Sequence, residues 1–78
     1  MLWITAADYR NDFKINLTFS DGKSGTVDFE NLLDEKIFLP LKNRDEFKNF
    51  RLNSWTLEWE NGADFSPEFL YSKMIENH

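Results

Sequence analysis

The alternation of apolar and polar residues predicts a first β-hairpin in the N-terminal half of the chain. Apolar side chains alternate with polar ones through residues 13–19, the period-two pattern of a strand with one buried and one wet face. Asp21-Gly22 follows as a tight-turn signal, and residues 23–29 return as the partner strand. Gly25, within that return strand, indicates a bulge or a close backbone approach.

Residues 51–60 alternate in the same way and predict a second hairpin. The pattern places Trp55, Leu57 and Trp59 on an apolar face and Thr56, Glu58 and Glu60 on the opposite face. Asn61-Gly62 then favours a two-residue type I′ turn, in which both central residues have positive φ. Residues 63–65 are predicted as the short return strand.

A capped helix is predicted to follow the second hairpin. Ser66 is a favoured N-cap and Pro67 a favoured first helical residue, because the missing N–H of proline is not needed there. Phe65 can pack on Leu70 as a hydrophobic staple. The pairs Leu70/Met74 and Tyr71/Ile75 lie four residues apart and predict an apolar stripe along the helix.

The remaining segments predict one more strand and short helical pieces. Residues 2–9 favour a strand that ends at a polar break over residues 10–12, and a short helical turn is predicted near residues 30–33. Residues 37–41 are apolar but contain Pro40, so we expect a turn or short helix docked on the core. The sequence further predicts a helix N-cap at Asn43 with Glu46 completing a capping box, and Phe47 and Phe50 on one helix face.

These elements predict a single α+β domain over residues 1–78. Two hairpins and an extra strand form a small, mainly antiparallel sheet, which packs against two or three short helices. With 41% apolar and 17% aromatic residues, a chain of 78 residues can build a small core.

The composition argues against several classes of function. The chain has no Cys, and its one His is His78, so thiol chemistry is excluded and we expect no metal site and no cofactor. No Ser has a neighbouring activator or a nucleophile motif, and we expect no enzymatic activity. The N-terminus lacks the pattern of a signal peptide, and no apolar run is long enough to span a bilayer. We therefore expect a cytoplasmic protein.

Charge limits the choice of partners. The formal net charge is −5, which disfavours binding to nucleic acid by this domain alone. The negative charge either favours a basic protein partner or only keeps the domain soluble. The densest basic cluster, Lys42, Arg44, Lys48 and Arg51, is partly cancelled by Asp45 and Glu46.

Three clusters are candidates for function, each with a structural alternative. Asp64 and Glu68 are a carboxylate pair that could act as acid and base or hold a cation. The structural alternative is that both negative charges interact favourably with the positive end of the helix dipole. Asp28, Glu30, Asp34 and Glu35 form an acidic patch, either a solvated face or a docking surface. Trp55, Leu57 and Trp59 could form a base-stacking platform, core packing or an apolar partner patch.

Most of these segments also match one family. The matching residues are Phe19-Ser20-Asp21-Gly22, Gly25 with Val27-Asp28, Phe38 with Leu41, Phe47, Trp59 with Asn61-Gly62-Ala63-Asp64, and Pro67-Glu68-Phe69-Leu70. With them the chain resembles the small bacterial family catalogued as domain of unknown function 2442. Members of that family are small α+β domains, often encoded beside a small partner of another uncharacterised family, numbered 4160, in a toxin–antitoxin-like arrangement. Some members carry an additional C-terminal helix-turn-helix domain, which we do not expect in this chain, since the sequence ends at His78.

The resemblance implies a non-catalytic protein-binding module, the antitoxin-like partner of a small cognate toxin. A free sheet edge or the final helix would make the contact, with Tyr71, Trp59, Asp64 and Glu68 as candidate contact residues. The alternatives are a small transcriptional regulator acting as a dimer and a ligand-binding domain of unknown substrate. A further alternative is a homodimer that forms by pairing of edge strands.

Overall fold

The first hairpin belongs to a three-stranded antiparallel sheet. The computed structural model of the chain describes residues 1–76, with side chains described as far as Met74. The strands are β1 (Ile4–Asn11), β2 (Lys14–Phe19) and β3 (Ser24–Asp28), in the order β1-β2-β3. The predicted hairpin is confirmed. The polar break predicted over residues 10–12 begins later than predicted: β1 continues to Asn11, which pairs with Lys14, and the turn lies at Asp12, with a φ of 48°, and Phe13.

The second hairpin is shorter than predicted. Its strands are β4 (Arg51–Leu52) and β5 (Leu57–Glu58), two residues each. Between them the side chain of Asn53 accepts hydrogen bonds from the N–H groups of Trp55 (2.7 Å) and Thr56 (2.8 Å). These local bonds replace the ladder bonds that a continuous strand would make.

The loop changes which residues face the core. Trp55 is 52% exposed, whereas Thr56 is only 5% exposed, so the predicted placement of both is wrong. Leu57 and Trp59 are buried as predicted. The buried hydroxyl of Thr56 donates a hydrogen bond of 2.7 Å to the carbonyl of Phe65, which satisfies it inside the core.

The turn after Trp59 is a three-residue loop rather than the predicted type I′ turn. The N–H of Gly62 donates to the carbonyl of Trp59, and the N–H of Trp59 donates to the carbonyl of Ala63, both at 2.9 Å. Gly62 has a φ of 87°, but Asn61 is not in the positive-φ region. The following residues form only one β-bridge, between Asp64 and Glu58, in place of a strand.

Short helices fill the middle of the chain, as predicted. Two 3-10 helices span Glu30–Leu32 and Lys36–Lys42, and the second contributes buried Phe38 and Leu41. A short α-helix, α1, spans Arg44–Phe47.

Asn43 caps α1, but the predicted capping box does not form. The side chain of Asn43 accepts from the N–H of Asp45 at 2.9 Å. The N–H of Asn43, which Glu46 would have to bind in a capping box, donates instead to the carbonyl of Pro40 at 3.3 Å.

The final helix, α2 (Pro67–Glu76), begins as the sequence predicts. The hydroxyl of Ser66 accepts from the N–H of Phe69 at 3.2 Å. Met74 packs so closely on Gly25 that a Cβ at residue 25 would lie 2.7 Å from the Met74 Cγ, which confirms the predicted close approach. The side chain of Ile75 and the terminal residues 77–78, including His78, lie outside the described residues.

The core is an aromatic cluster centred on Trp59. Its indole is 2% exposed and lies 5.8 Å from the Phe47 ring and 6.0 Å from the Phe65 ring, centroid to centroid. The predicted staple partners Phe65 and Leu70 are both buried in this core. The sheets and helices together confirm the predicted α+β class. Within the described residues, no helix has the length and apolar character needed to cross a membrane.

Candidate functional site

An open groove lies where the start of α2 meets the loop between the two 3-10 helices. It encloses about 480 Å³. Its apolar floor is formed by Phe38, Phe65 and Phe69, and its acidic rim by Asp34, Glu35 and Asp64. Two stretches of the chain that are distant in sequence, residues 31–38 and 64–69, therefore contribute to one concave surface.

The floor of the groove is a stack of three nearly parallel rings. Phe38 and Phe65 have centroids 4.5 Å apart and planes 4° apart, and Phe65 and Phe69 have centroids 5.8 Å apart and planes 8° apart. Phe38 and Phe65 are 9% and 8% exposed, but Phe69 is 39% exposed. Ser66, by capping α2, fixes the first helical turn that holds Phe69 at the open end of the stack.

The rim carries negative charge that is only partly neutralised. Asp34 forms an ion pair with Lys42, with Nζ and Oδ1 3.5 Å apart. The carboxylates of Glu35 and Asp64 make no ion pair with any described residue, and both residues are exposed. The groove is therefore apolar at its floor and anionic at its edge.

Among the described residues that line the groove, the ionisable side chains are the carboxylates of Asp34, Glu35 and Asp64. Among the described residues, no group of three or more His, Cys, Asp or Glu side chains is arranged to hold a metal ion.

The comparisons with known proteins place the chain in a family. Residues 4–76 match the family model described as "Protein of unknown function (DUF2442)". The chain belongs to the DUF2442 family. No curated protein matches it.

A solved structure shares the fold of this DUF2442 domain. It is the crystal structure of the "Putative DNA Binding Protein NE0471" from Nitrosomonas europaea ATCC 19718, with a TM-score of 0.82 and 18% sequence identity. The match covers 99% of this chain and 51% of the other, so this chain spans about half the length of that protein. At this identity the likeness concerns the fold.

Two of the predicted contact residues have structural roles in the DUF2442 domain. Trp59 is buried, and its Nε1 donates to the carbonyl of Phe47 at 2.8 Å, so its side chain belongs to the core rather than to the exposed surface. Tyr71 is half-buried, and its hydroxyl donates to Oδ2 of Asp21 at 2.8 Å. The bond joins α2 to the β2–β3 turn.

The same turn holds a perturbed carboxyl group. The backbone N–H of Lys23 and, next, the Tyr71 hydroxyl lower the pKa of Asp21 below its ordinary value, because both donate hydrogen bonds to the carboxylate.

The predicted carboxylate pair is divided between two surroundings. Asp64 lines the groove, whereas Glu68 lies exposed in the first turn of α2, outside the groove lining. At this position the negative charge of Glu68 interacts favourably with the positive end of the helix dipole. Of the acidic patch predicted from sequence, Asp34 and Glu35 reach the groove and Asp28 and Glu30 do not.

The sequence reasoning missed Phe69, the most exposed ring of the groove. The signal available in the sequence was its position: Phe69 is a large aromatic beside, and not within, the stripe of Leu70 and Met74. An aromatic residue outside the buried stripe of a capped helix is a candidate for external contact.

The residues of the basic cluster lie beside carboxylates, and the three residues of the predicted tryptophan platform are not exposed together. Each of the four basic residues is in an ion pair: Lys42 with Asp34, Arg44 with Asp12, Lys48 with Asp45 and Arg51 with Glu58, at 3.1–3.7 Å. The base-stacking platform considered for Trp55, Leu57 and Trp59 does not form, because Leu57 and Trp59 are buried and, of the three, only Trp55 is exposed.

Proposed function

We propose that this DUF2442 domain is a non-catalytic protein-binding module, the antitoxin-like partner of a small cognate protein, and that the groove is its contact site. The observation that carries the proposal is the exposed ring of Phe69 above two buried rings, within a rim of carboxylates. Partly exposed aromatic anchors in concave surfaces are typical centres of protein interfaces.

The charge of the domain supports a basic partner. The net charge is −5, and two rim carboxylates, Glu35 and Asp64, are not neutralised by described residues. A basic surface would be steered towards the groove and would find unpaired negative charge there. The same charge would repel a phosphate backbone.

The test is co-expression of the tagged domain with the product of the neighbouring gene. We expect the two proteins to co-purify and to remain together in size-exclusion chromatography. Phe69→Ala should weaken the complex, because it removes the exposed anchor; Leu52→Ala is the matched control, since Leu52 has the same 39% exposure and lies outside the groove. Repeated failure to form a complex, or equal binding by both variants, would argue against the proposal.

A second candidate is a small transcriptional regulator acting as a dimer. It is favoured by the name of the structural neighbour, "Putative DNA Binding Protein NE0471", a protein about twice as long as this chain. The acidic balance and the ion-paired basic cluster oppose it for this domain alone. A salt-sensitive shift of promoter DNA by the isolated domain would favour this second function over the first.

A further inference from the structure

β3 is an edge strand whose outer backbone groups face away from the sheet. Just beyond the strand, the N–H of Phe29 donates to the carbonyl of Phe13 at 2.7 Å. Because hydrogen-bonded positions alternate along an antiparallel ladder, Gly25 and Val27 direct their backbone groups towards β2. The intervening residues direct their N–H and C=O groups outward, and all of them are exposed: Ser24, Thr26 and Asp28.

β3 also lacks the features that commonly protect an edge strand from association. It pairs with β2 without a bulge over its five residues, which include neither proline nor lysine. β1, the other edge of this sheet, has two irregularities of register, and the N–H of Ile4 donates to the carbonyl of Trp55. The β4–β5 hairpin thus covers part of the β1 edge, whereas no strand within residues 1–76 pairs with the outer side of β3.

The two ends of β3 carry opposite charges. Lys23 precedes the strand, and Asp28 ends it, followed by Glu30. Nζ of Lys23 lies 5.9 Å from the centroid of the Tyr71 ring, and Lys23 makes no ion pair with a described carboxylate. An antiparallel strand of the same sequence would bring its acidic end beside Lys23. A parallel one would bring like charges together, which is unfavourable.

We propose that β3 pairs antiparallel with β3 of a second copy of this chain, about a two-fold axis at Thr26. Thr26 then lies opposite its own counterpart and Ser24 opposite Asp28 of the second copy, and the strands exchange about six backbone hydrogen bonds. Asp28 accepts from the N–H of Glu30 through Oδ1, which leaves Oδ2 for the Ser24 hydroxyl. Polar cross-strand pairs of this kind, the threonine pair included, stabilise antiparallel sheets.

The product is one continuous sheet of six strands, three from each copy. No residue of β3 lines the groove, so the inference goes beyond the proposed function and does not depend on it. The surface is isologous, because the same strand serves both copies.

Sedimentation equilibrium of the 78-residue chain measures the association directly. A small interface between two copies of net charge −5 should be weak, so the salt concentration is about 0.15 M to screen long-range repulsion. The mean mass should rise from 9.3 kDa towards twice that value as the protein concentration approaches about 1 mM. A mass that stays at 9.3 kDa over this range overturns the proposal.

Variants of Thr26 test whether β3 forms the interface. Thr26→Pro removes an N–H that takes no part in the ladder with β2, and it should weaken association at least about tenfold. Thr26→Lys, which places two like charges opposite each other, should act in the same direction. Thr26→Val is the matched control, because it keeps the branched shape and the N–H, and should change association less than about threefold. Equal association of the folded proline and valine variants, with the fold checked by circular dichroism, contradicts the proposal.

Charge reversal tests the direction of pairing. Lys23→Glu and Glu30→Lys should each weaken association about threefold or more, because each brings like charges together at both ends of the paired strands. The double variant should restore association. Its net charge equals that of the unchanged chain, so the recovery cannot come from overall charge. A double variant that associates no better than the weaker single variant overturns the antiparallel arrangement.

Amide hydrogen exchange identifies the strand that pairs. The outward amides of Ser24, Thr26 and Asp28 should exchange at least about threefold more slowly at high than at low protein concentration, and those of β1 should not change. Slowing confined to β1 overturns the proposal. Slowing of the β3 amides only after addition of the product of the neighbouring gene also overturns it, because the edge then accepts a strand of that protein. If the chain dimerises through β3 but forms no complex with that product, this inference stands and the proposed function is wrong.

Discussion

At the residue scale, Trp59 connects the second hairpin to the rest of the core. Its Nε1 donates to the carbonyl of Phe47, and its ring packs against Phe29, Phe47, Phe50 and Phe65. Trp55, four residues earlier, is 52% exposed. Two residues of the same type in one alternating pattern thus have different roles.

We predict that Trp59→Phe lowers the free energy of unfolding by about 2–4 kcal/mol. The change leaves the Phe47 carbonyl without its indole donor in a buried position and removes part of the core volume. Trp55→Phe, the matched control, should change stability by less than about 0.5 kcal/mol. Urea unfolding followed by circular dichroism measures both, and comparable losses would contradict the structural distinction between the two residues.

At the element scale, α2 is held against the sheet by unusually close packing. Its residue Met74 is 3% exposed and lies directly over Gly25 of β3. A Cβ added at residue 25 would come within 2.7 Å of Met74 Cγ and 2.9 Å of Met74 Sδ. Glycine at this position therefore sets the distance between helix and sheet, a role that its backbone angles alone do not require.

We predict that Gly25→Ala destabilises the domain by about 1–3 kcal/mol, because Met74 must move out of its packed position. Met74→Ala should cost about 2–5 kcal/mol through the cavity it leaves. In the double variant the new methyl group enters space that Met74 has vacated, so the loss should be smaller than the sum of the single losses by about 1 kcal/mol or more. Strictly additive losses in urea unfolding would show that the two residues do not share this contact.

At the scale of the whole molecule, a contact between the β2–β3 turn and α2 links the ionisation of Asp21 to folding. The folded-state pKa of Asp21 lies below its ordinary value of 3.8, because the Lys23 N–H and the Tyr71 hydroxyl bind the carboxylate. A lowered folded pKa means that Asp21 contributes stability above pH 3.8, and that this contribution is lost as the pH falls through the folded pKa.

We predict that Tyr71→Phe raises the pKa of Asp21 towards 3.8. Because the folded-state pKa is then closer to the ordinary value, protonation of Asp21 should lower the free energy of unfolding by less than it does in the unchanged protein. Carboxyl NMR titration measures the pKa, and urea unfolding from about pH 6 to pH 2 measures the stability. Tyr9→Phe is the control, because the Tyr9 hydroxyl donates to the backbone carbonyl of Asp12 and to no carboxylate. An unchanged Asp21 pKa in Tyr71→Phe would show that the helix does not stabilise the ionised group.

Also at the scale of the whole molecule, the groove depends on residues distant in sequence. Phe38 comes from the second 3-10 helix, Phe65 from the segment before α2 and Phe69 from its first turn. The sequence identified Asp64 as a candidate and placed Asp34 and Glu35 in an acidic patch. The sequence does not predict that Asp34, Glu35 and Asp64 lie at one rim, because the separation of Asp64 from the other two along the chain matches the period of neither a strand nor a helix.

The sequence by itself determined the features that depend on neighbouring residues. The first hairpin follows from period-two alternation and Gly22, the start of α2 from Ser66-Pro67, and the α+β class from the order of the elements. These signals act within a few residues, where steric limits and local hydrogen bonds leave few alternatives.

Only the tertiary structure decided which side chains are exposed and which residues meet. The Asn53 side chain interrupts the second alternating segment, so Trp55 points to solvent and Thr56 to the core. The groove forms because two distant segments pack Phe38, Phe65 and Phe69 into one stack, in which Phe69 is the most exposed ring. Packing between distant segments depends on the volume and shape of all of them together, which no local pattern of apolar and polar residues specifies.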